Sequence, residues 1–153
     1  MLRASLVALV LIVGLVRPLA AAEVEPAFSL EVGGPQKLSA NLGFKIGATK
    51  ADDPEVGRGI FFQVQPGLGG GAVNIGFSPV SLSAWGTQTV GVVIKARYLR
   101  TWGDPWTAEP DQDFAGIELG AAWIVKVSVG VVQRLGSGPG KATIVTWSVG
   151  VGL

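Results

Sequence analysis

The 153-residue chain has no cysteine and no histidine. The first absence excludes disulfide staples, thiol nucleophiles and a lipidated cysteine anchor. The second removes the commonest general base and metal ligand. Charge is also scarce: Asp, Glu, Lys and Arg make up 15% of the residues, less than the surface of a soluble domain usually carries. No helical stripe of period 3.6 runs anywhere beyond Glu23. The one long apolar run, Leu6 to Val16, is too short to cross a bilayer as a helix.

That run has a context. Arg3 precedes it, and Ala20-Ala21-Ala22 follows just before Glu23. A positive start, an apolar stretch and a small-residue cleavage site together describe a secretory signal peptide. Residues 1–22 are therefore expected to be a cleaved leader, and residues 23–153 a single domain. That domain holds 10 Lys and Arg against 11 Asp and Glu, so no basic excess exists to hold nucleic-acid phosphates. The 23 glycines and a mean hydropathy of +0.47 suit a surface that meets lipid better than one that meets water.

Alternation at period two runs through the whole domain. Large apolar residues recur as Phe28, Leu30, Val32; Leu38, Leu42, Phe44, Ile46; Ile60, Phe62, Val64; and Val73, Ile75, Phe77. They continue as Val90, Val92, Ile94, Tyr98; Ile117, Leu119, Trp123; Val127, Val129, Val131; and Val145, Trp147, Val149, Val151. The opposite parity is rich in Gly, Ser, Asn and charge, with Phe61, Val93, Leu99, Phe114, Val132 and Ile144 as exceptions. Eight strands follow. Alternation alone does not say which face is inside, because a soluble barrel and a transmembrane barrel invert it. Glycine weakens strands and needs a reason such as close approach or curvature. A narrow lumen provides that reason and a solvated surface does not. The reading is all-β: an eight-stranded antiparallel up-and-down transmembrane β-barrel after a cleaved signal peptide.

The last strand, ending VTWSVGVGL, sets bulky apolar residues at alternate positions back from Leu153. It resembles the C-terminal insertion signal of bacterial outer-membrane β-barrels, although most of that class end on Phe or Trp. As a pattern over the whole domain the chain is similar to the small eight-stranded barrels of the OmpA-domain and OmpX kind. The resemblance implies the bacterial outer membrane as location, membrane lipid as surroundings, and the barrel-insertion machinery as a partner of the last strand.

With both termini periplasmic, Phe28, Phe44, Phe77 and Trp123 fall at the inner ends of strands on the lipid-facing parity, and Tyr98 and Trp102 at the outer end. These six are expected to form interfacial girdles. Two inner connections look long on this reading, GATKADDPEVGRG at 47–59 and SPVSLSAWGTQT at 78–89, while the first outer loop at Gly33-Gly34-Pro35 looks tight.

Apparent cofactor motifs dissolve in context. GLGGGA at 67–72 has the letters of a dinucleotide fingerprint, but a strand follows where a helix is required. GSGPGKAT at 136–143 is one residue short of a P-loop and feeds a strand. Lys126 and Ser128 share a parity but fall at an inner turn, a poor place for a Ser–Lys catalyst. Acidic groups at Asp52, Asp53, Glu55 and at Asp104, Glu109, Asp111, Asp113 lack a recognised metal-ligand spacing. No enzyme activity, cofactor or metal is expected.

The inward charges are more informative. A turn at Gly34 sets Glu31 opposite Lys37, and parity sets Glu118 opposite Lys95 or Arg97. An eight-stranded interior is just filled by side chains, so Glu31, Lys37, Lys95, Arg97, Glu118 and Arg134 are expected to form a polar core. Arg100 and Lys141 have outward parity at the outer rim, where lipopolysaccharide phosphates would accept their hydrogen bonds. The expected function is a non-enzymatic outer-membrane protein, structural or surface-interacting. A narrow anion-preferring channel and a soluble exported barrel with an apolar ligand are the alternatives.

Overall fold

The computed structural model describes residues 23–50, 53–84, 88–123 and 125–152. The expected leader, Leu153 and Asp52 lie outside the described residues. Eight strands account for most of the rest: β1 (Glu23–Gly34), β2 (Lys37–Lys50), β3 (Asp53–Gly67), β4 (Gly70–Ala84), β5 (Gln88–Thr101), β6 (Asp113–Ala122), β7 (Val125–Arg134) and β8 (Thr143–Gly152). Each pairs antiparallel with its neighbours in chain order. Pairing of β1 with β8, from Ser29 opposite Gly152 to Gly34 opposite Trp147, closes the sheet into a barrel. Closure removes the unpaired edges that an open sheet would leave.

The two ends differ. At one end, only two or three residues separate β2 from β3, β4 from β5 and β6 from β7. At the other lie the tight Pro35-Gln36 and Leu68-Gly69 connections and the longer loops 102–112 and 135–142. These are called the turn end and the loop end below.

Of the two long inner connections expected at 47–59 and 78–89, residues 47–50, 53–59, 78–84 and 88–89 are instead strand. β2 to β5 are 14 or 15 residues long, whereas β6 to β8 have 10. Proline explains part of the difference. Pro79 has no N–H for a ladder bond, and strands accommodate such a residue at a bulge. The β4–β5 register shifts between Phe77, opposite Ile94, and Val80, opposite Val92. Apolar residues therefore move from odd to even numbers across Pro79, and the alternation looks broken although the strand continues.

Polarity is inverted relative to a soluble domain. Outward residues such as Val129 (55% exposed) and Ile117 (63%) are bare, while Ser29, Glu31, Asn41, Gln65, Lys95, Arg97, Glu118 and Thr146 are buried inside. The inward exceptions to the alternation also find their place. Ala72 stands opposite Leu99, Leu99 opposite Phe114, and Val132 opposite Ile144. These five pack together as a buried apolar cluster spanning β4 to β8. It lies inside the barrel near the loop end, with Leu99, Phe114 and Val132 at 0% exposure.

Candidate functional site

The interior below this cluster is held by two carboxylates. Glu118 on β6 faces Lys95 on β5 across the ladder. Its Oε1 lies 2.5 Å from Lys95 Nζ, and its Oε2 accepts from Arg97 Nη1 at 2.9 Å and Thr146 Oγ1 at 3.0 Å. Arg97 Nη2 also donates to Gln36 Oε1. Gln36, a turn residue, is drawn into the interior, where its Nε2 donates to the Gln65 carbonyl at 2.7 Å.

Glu31 on β1 is served differently. Its Oε1 accepts from Ser29 Oγ at 2.9 Å and Asn41 Nδ2 at 2.6 Å. Its Oε2 accepts from Ser148 Oγ at 2.7 Å and Gln65 Nε2 at 3.2 Å. The nearest cation, Lys126 Nζ, stands 3.9 Å from Oε1 and donates to Ser29 Oγ at 3.1 Å. Burying a charge is tolerable when its lone pairs are filled in this way.

Four of the six residues expected in the polar core, Glu31, Lys95, Arg97 and Glu118, lie buried there. The other two do not. Lys37 sits opposite Gly33 rather than Glu31, because the β1–β2 hairpin is centred one residue later, at Pro35 rather than Gly34, which slips the partners by two. Lys37 has φ 65° and reaches out to Asp104 Oδ2 at 2.7 Å. Glu31 instead faces Ser39. Arg134, at the loop end of β7, clasps the 135–142 loop through the Pro139 carbonyl.

Sequence reasoning also missed Gln36, Asn41, Gln65, Thr146 and Ser148 as members of the network. Asn41, Gln65, Thr146 and Ser148 carry the right parity. Gln36 gives no such signal, since only the turn's geometry directs it inward.

The expected girdle residues are all exposed outward: Phe28, Phe44, Phe77, Tyr98, Trp102 and Trp123. Phe44 and Phe77 are not at strand ends, because β2 and β4 run on to Lys50 and Ala84. Phe44 packs on Phe62 with ring centroids 5.4 Å apart. At the loop end Trp106 stacks on Trp147 at 6.2 Å, and Trp102 Nε1 donates to the Gly67 carbonyl at 3.1 Å.

Arg100 is paired. Its Nη1 lies 3.1 Å from Asp113 Oδ2, and Tyr98 Oη donates to Asp113 Oδ1 at 2.7 Å. Lys141 is exposed in the β7–β8 loop. Lys126 and Ser128 do not bond each other, because Ser128 Oγ pairs with Ser148 Oγ at 2.7 Å. The two motif look-alikes are connections between strands, Leu68-Gly69 and the 135–142 loop. In the latter, positive φ at Gly136 and Gly140 favours glycine.

Between the polar network and the turn end lies a chamber of about 480 Å³. Its walls include Ala27, Phe61, Val93 and Ala122, with Lys126, Ser128 and Ser148 among its polar groups. Comparison with protein-family models, with curated proteins and with solved structures finds no match to this chain.

Proposed function

We propose that this protein is a non-enzymatic outer-membrane β-barrel that serves a structural or surface-interacting role and has no through-going pore. The observation that carries the reading is the inverted polarity: apolar side chains cover the outside of a barrel whose inside holds two carboxylates and their cations. Left in water, that outside would be an apolar patch far larger than soluble monomers tolerate. In a bilayer it is matched to its surroundings, and the closed ladder leaves no strand edge exposed to hydrocarbon.

The apolar cluster of Leu99, Phe114, Val132, Ile144 and Ala72 argues against conduction. It fills the lumen near the loop end with groups that exclude water, and the Glu118–Lys95–Arg97 network lies beneath it. The 102–112 loop is tied down by Trp106 N–H donating to the Pro35 carbonyl at 3.2 Å and Asp111 N–H donating to the Thr101 carbonyl at 3.0 Å. An anchored, acid-bearing loop at one end suits contact with an external partner. Arg100 is held by Asp113, which leaves Lys141 as the better candidate for a lipid phosphate.

Membrane fractionation combined with heat-modifiable gel mobility tests the reading. The folded chain is expected in the outer-membrane fraction, soluble only in detergent, with a mobility that changes on boiling. Recovery of a folded, detergent-free monomer in the soluble fraction would overturn it.

A further inference from the structure

The chamber's lining includes the buried Glu31 and Lys95 of the polar network, and exposure of its charged groups grades from Lys95 (7%) through Lys126 (24%) to Glu25 (51%). A solute entering from the turn end would therefore be held rather than passed on. The volume of about 480 Å³ falls within the range of small-molecule sites, which are mostly apolar with a few convergent polar groups.

The cations differ in how far they are committed. Lys95 is engaged with Glu118 at 2.5 Å, and Lys45 lies 3.4 Å from Glu25. Lys126 is the loosely engaged one. Its natural partner Glu31 already has both oxygens filled by four neutral donors, Ser29, Asn41, Gln65 and Ser148. Lys126 is left at 3.9 Å from Glu31, donating one hydrogen bond, to Ser29. An ammonium has three N–H donors, so Lys126 keeps capacity for an incoming acceptor.

Apolar residues share the chamber with that ammonium. Phe61, Val93, Ala27 and Ala122 line the same chamber. Gly91 and Gly120 line it too. A Cβ at Gly120 would meet its nearest atoms at 3.4 and 3.6 Å, ordinary contact, so the backbone there does not require glycine for closeness.

We propose that the chamber binds a small organic monoanion with an apolar body, an aryl or short alkyl carboxylate, with Lys126 as its charge partner. A carboxylate on Lys126 makes a charge-assisted hydrogen bond, and the apolar body removes wall surface from water. One negative charge is the limit, because Glu31 stands close to Lys126 and repels a second. The site belongs to the barrel interior and does not depend on what the outer face meets.

Titration of the folded, purified full chain with phenylacetate and with neutral 2-phenylethanol, followed by ligand-observed NMR, tests it. Phenylacetate is expected to bind about tenfold or more tightly than the alcohol, the margin a charge-assisted bond provides. Lys126→Met is expected to erase that preference without unfolding the barrel, since Glu31 keeps its four neutral donors. Gly120→Leu fills the chamber and is expected to abolish binding of both compounds. Should Gly120→Leu fail to fold, the Lys126→Met comparison decides alone. Equal binding of acid and alcohol, no binding up to about 10 mM, or a preference that survives Lys126→Met overturns the proposal.

Discussion

Glu118 is the residue on which most of the interior converges. At 1% exposure it meets Lys95, Arg97 and Thr146 from β5 and β8. Removing its charge leaves two buried cations facing a neutral amide. Glu118→Gln is therefore expected to cost about 3–5 kcal/mol, the usual penalty for breaking a buried pair. A double-mutant cycle with Arg97→Met should recover part of that loss, read as a shift in the urea midpoint of the folded-to-unfolded gel transition. Glu31 is buffered by four neutral donors, so Lys126→Met should cost much less. The apolar cluster above behaves as an ordinary core. Phe114→Ala is expected to cost about 3–5 kcal/mol by the same measurement.

Much of this residue-scale detail was legible as parity and little of it as partnership. Glu31, Lys95, Arg97 and Glu118 share the inward parity of their strands, which is enough to place them inside. Parity did not distinguish Lys37 and Arg134, which sit at strand ends where the chain turns and the side chain reaches the loops. Leu99, Phe114, Val132 and Ile144 read only as interruptions of a pattern. Their meaning lies in the register: four consecutive strands, β5 to β8, bring them to one level of the lumen, and no single strand contains that information.

At the scale of elements, glycine sets how closely neighbouring strands coil. A Cβ at Gly116 would lie 2.1 Å from the Val131 carbonyl oxygen on β7, and one at Gly150 would lie 2.3 Å from that of Leu30 on β1. Backbone does not yield at those distances. Gly116→Ala is expected to destabilise the β6–β7 pairing strongly, while Gly120→Ala, four residues along the same strand and with its nearest atom 3.4 Å from the added Cβ, should be close to neutral. Parallel urea titrations of the two variants compare them directly. Equal destabilisation would mean that strand entropy, and not close approach, governs these glycines.

The strands' existence and their two faces follow from alternation, and that part of the sequence reading needed no change. Their lengths did. Pro79 shifts the phase in β4, and the β2–β3 register shifts between Thr49 and Lys50. Each irregularity interrupts the periodic signal before the strand ends. The first hairpin differs by two residues for a related reason. Gly33 and Lys37 close it with Gln36 turned inward, whereas alternation fits a turn centred one residue earlier, at Gly34, equally well, and that shift slips every partner by two. A slip of two keeps every side chain on its face, which is why the face assignment stands while the Glu31–Lys37 pairing does not.

For the whole molecule, the outward apolar surface and the inward charge are one fact with two sides. On the proposed reading, a barrel with bare Val, Leu, Ile and Phe outside and an ion network inside is matched to surroundings that spare its outside water. The same arrangement sets the buried apolar cluster near the loop end and the chamber toward the turn end.

Because the chain contains no cysteine, single labels can be placed without removing native ones. The decisive experiment is spin labelling of Val129→Cys, outward on β7, with Ser137→Cys in the exposed β7–β8 loop as reference, after reconstitution into lipid vesicles. Collision with oxygen, which concentrates in hydrocarbon, is compared with collision with a water-soluble nickel chelate. A lipid-facing Val129 position gives high oxygen and low nickel accessibility, with the reverse at Ser137. Nickel accessibility at Val129 equal to that at Ser137 would mean that the apolar face meets water, and the membrane reading would fail.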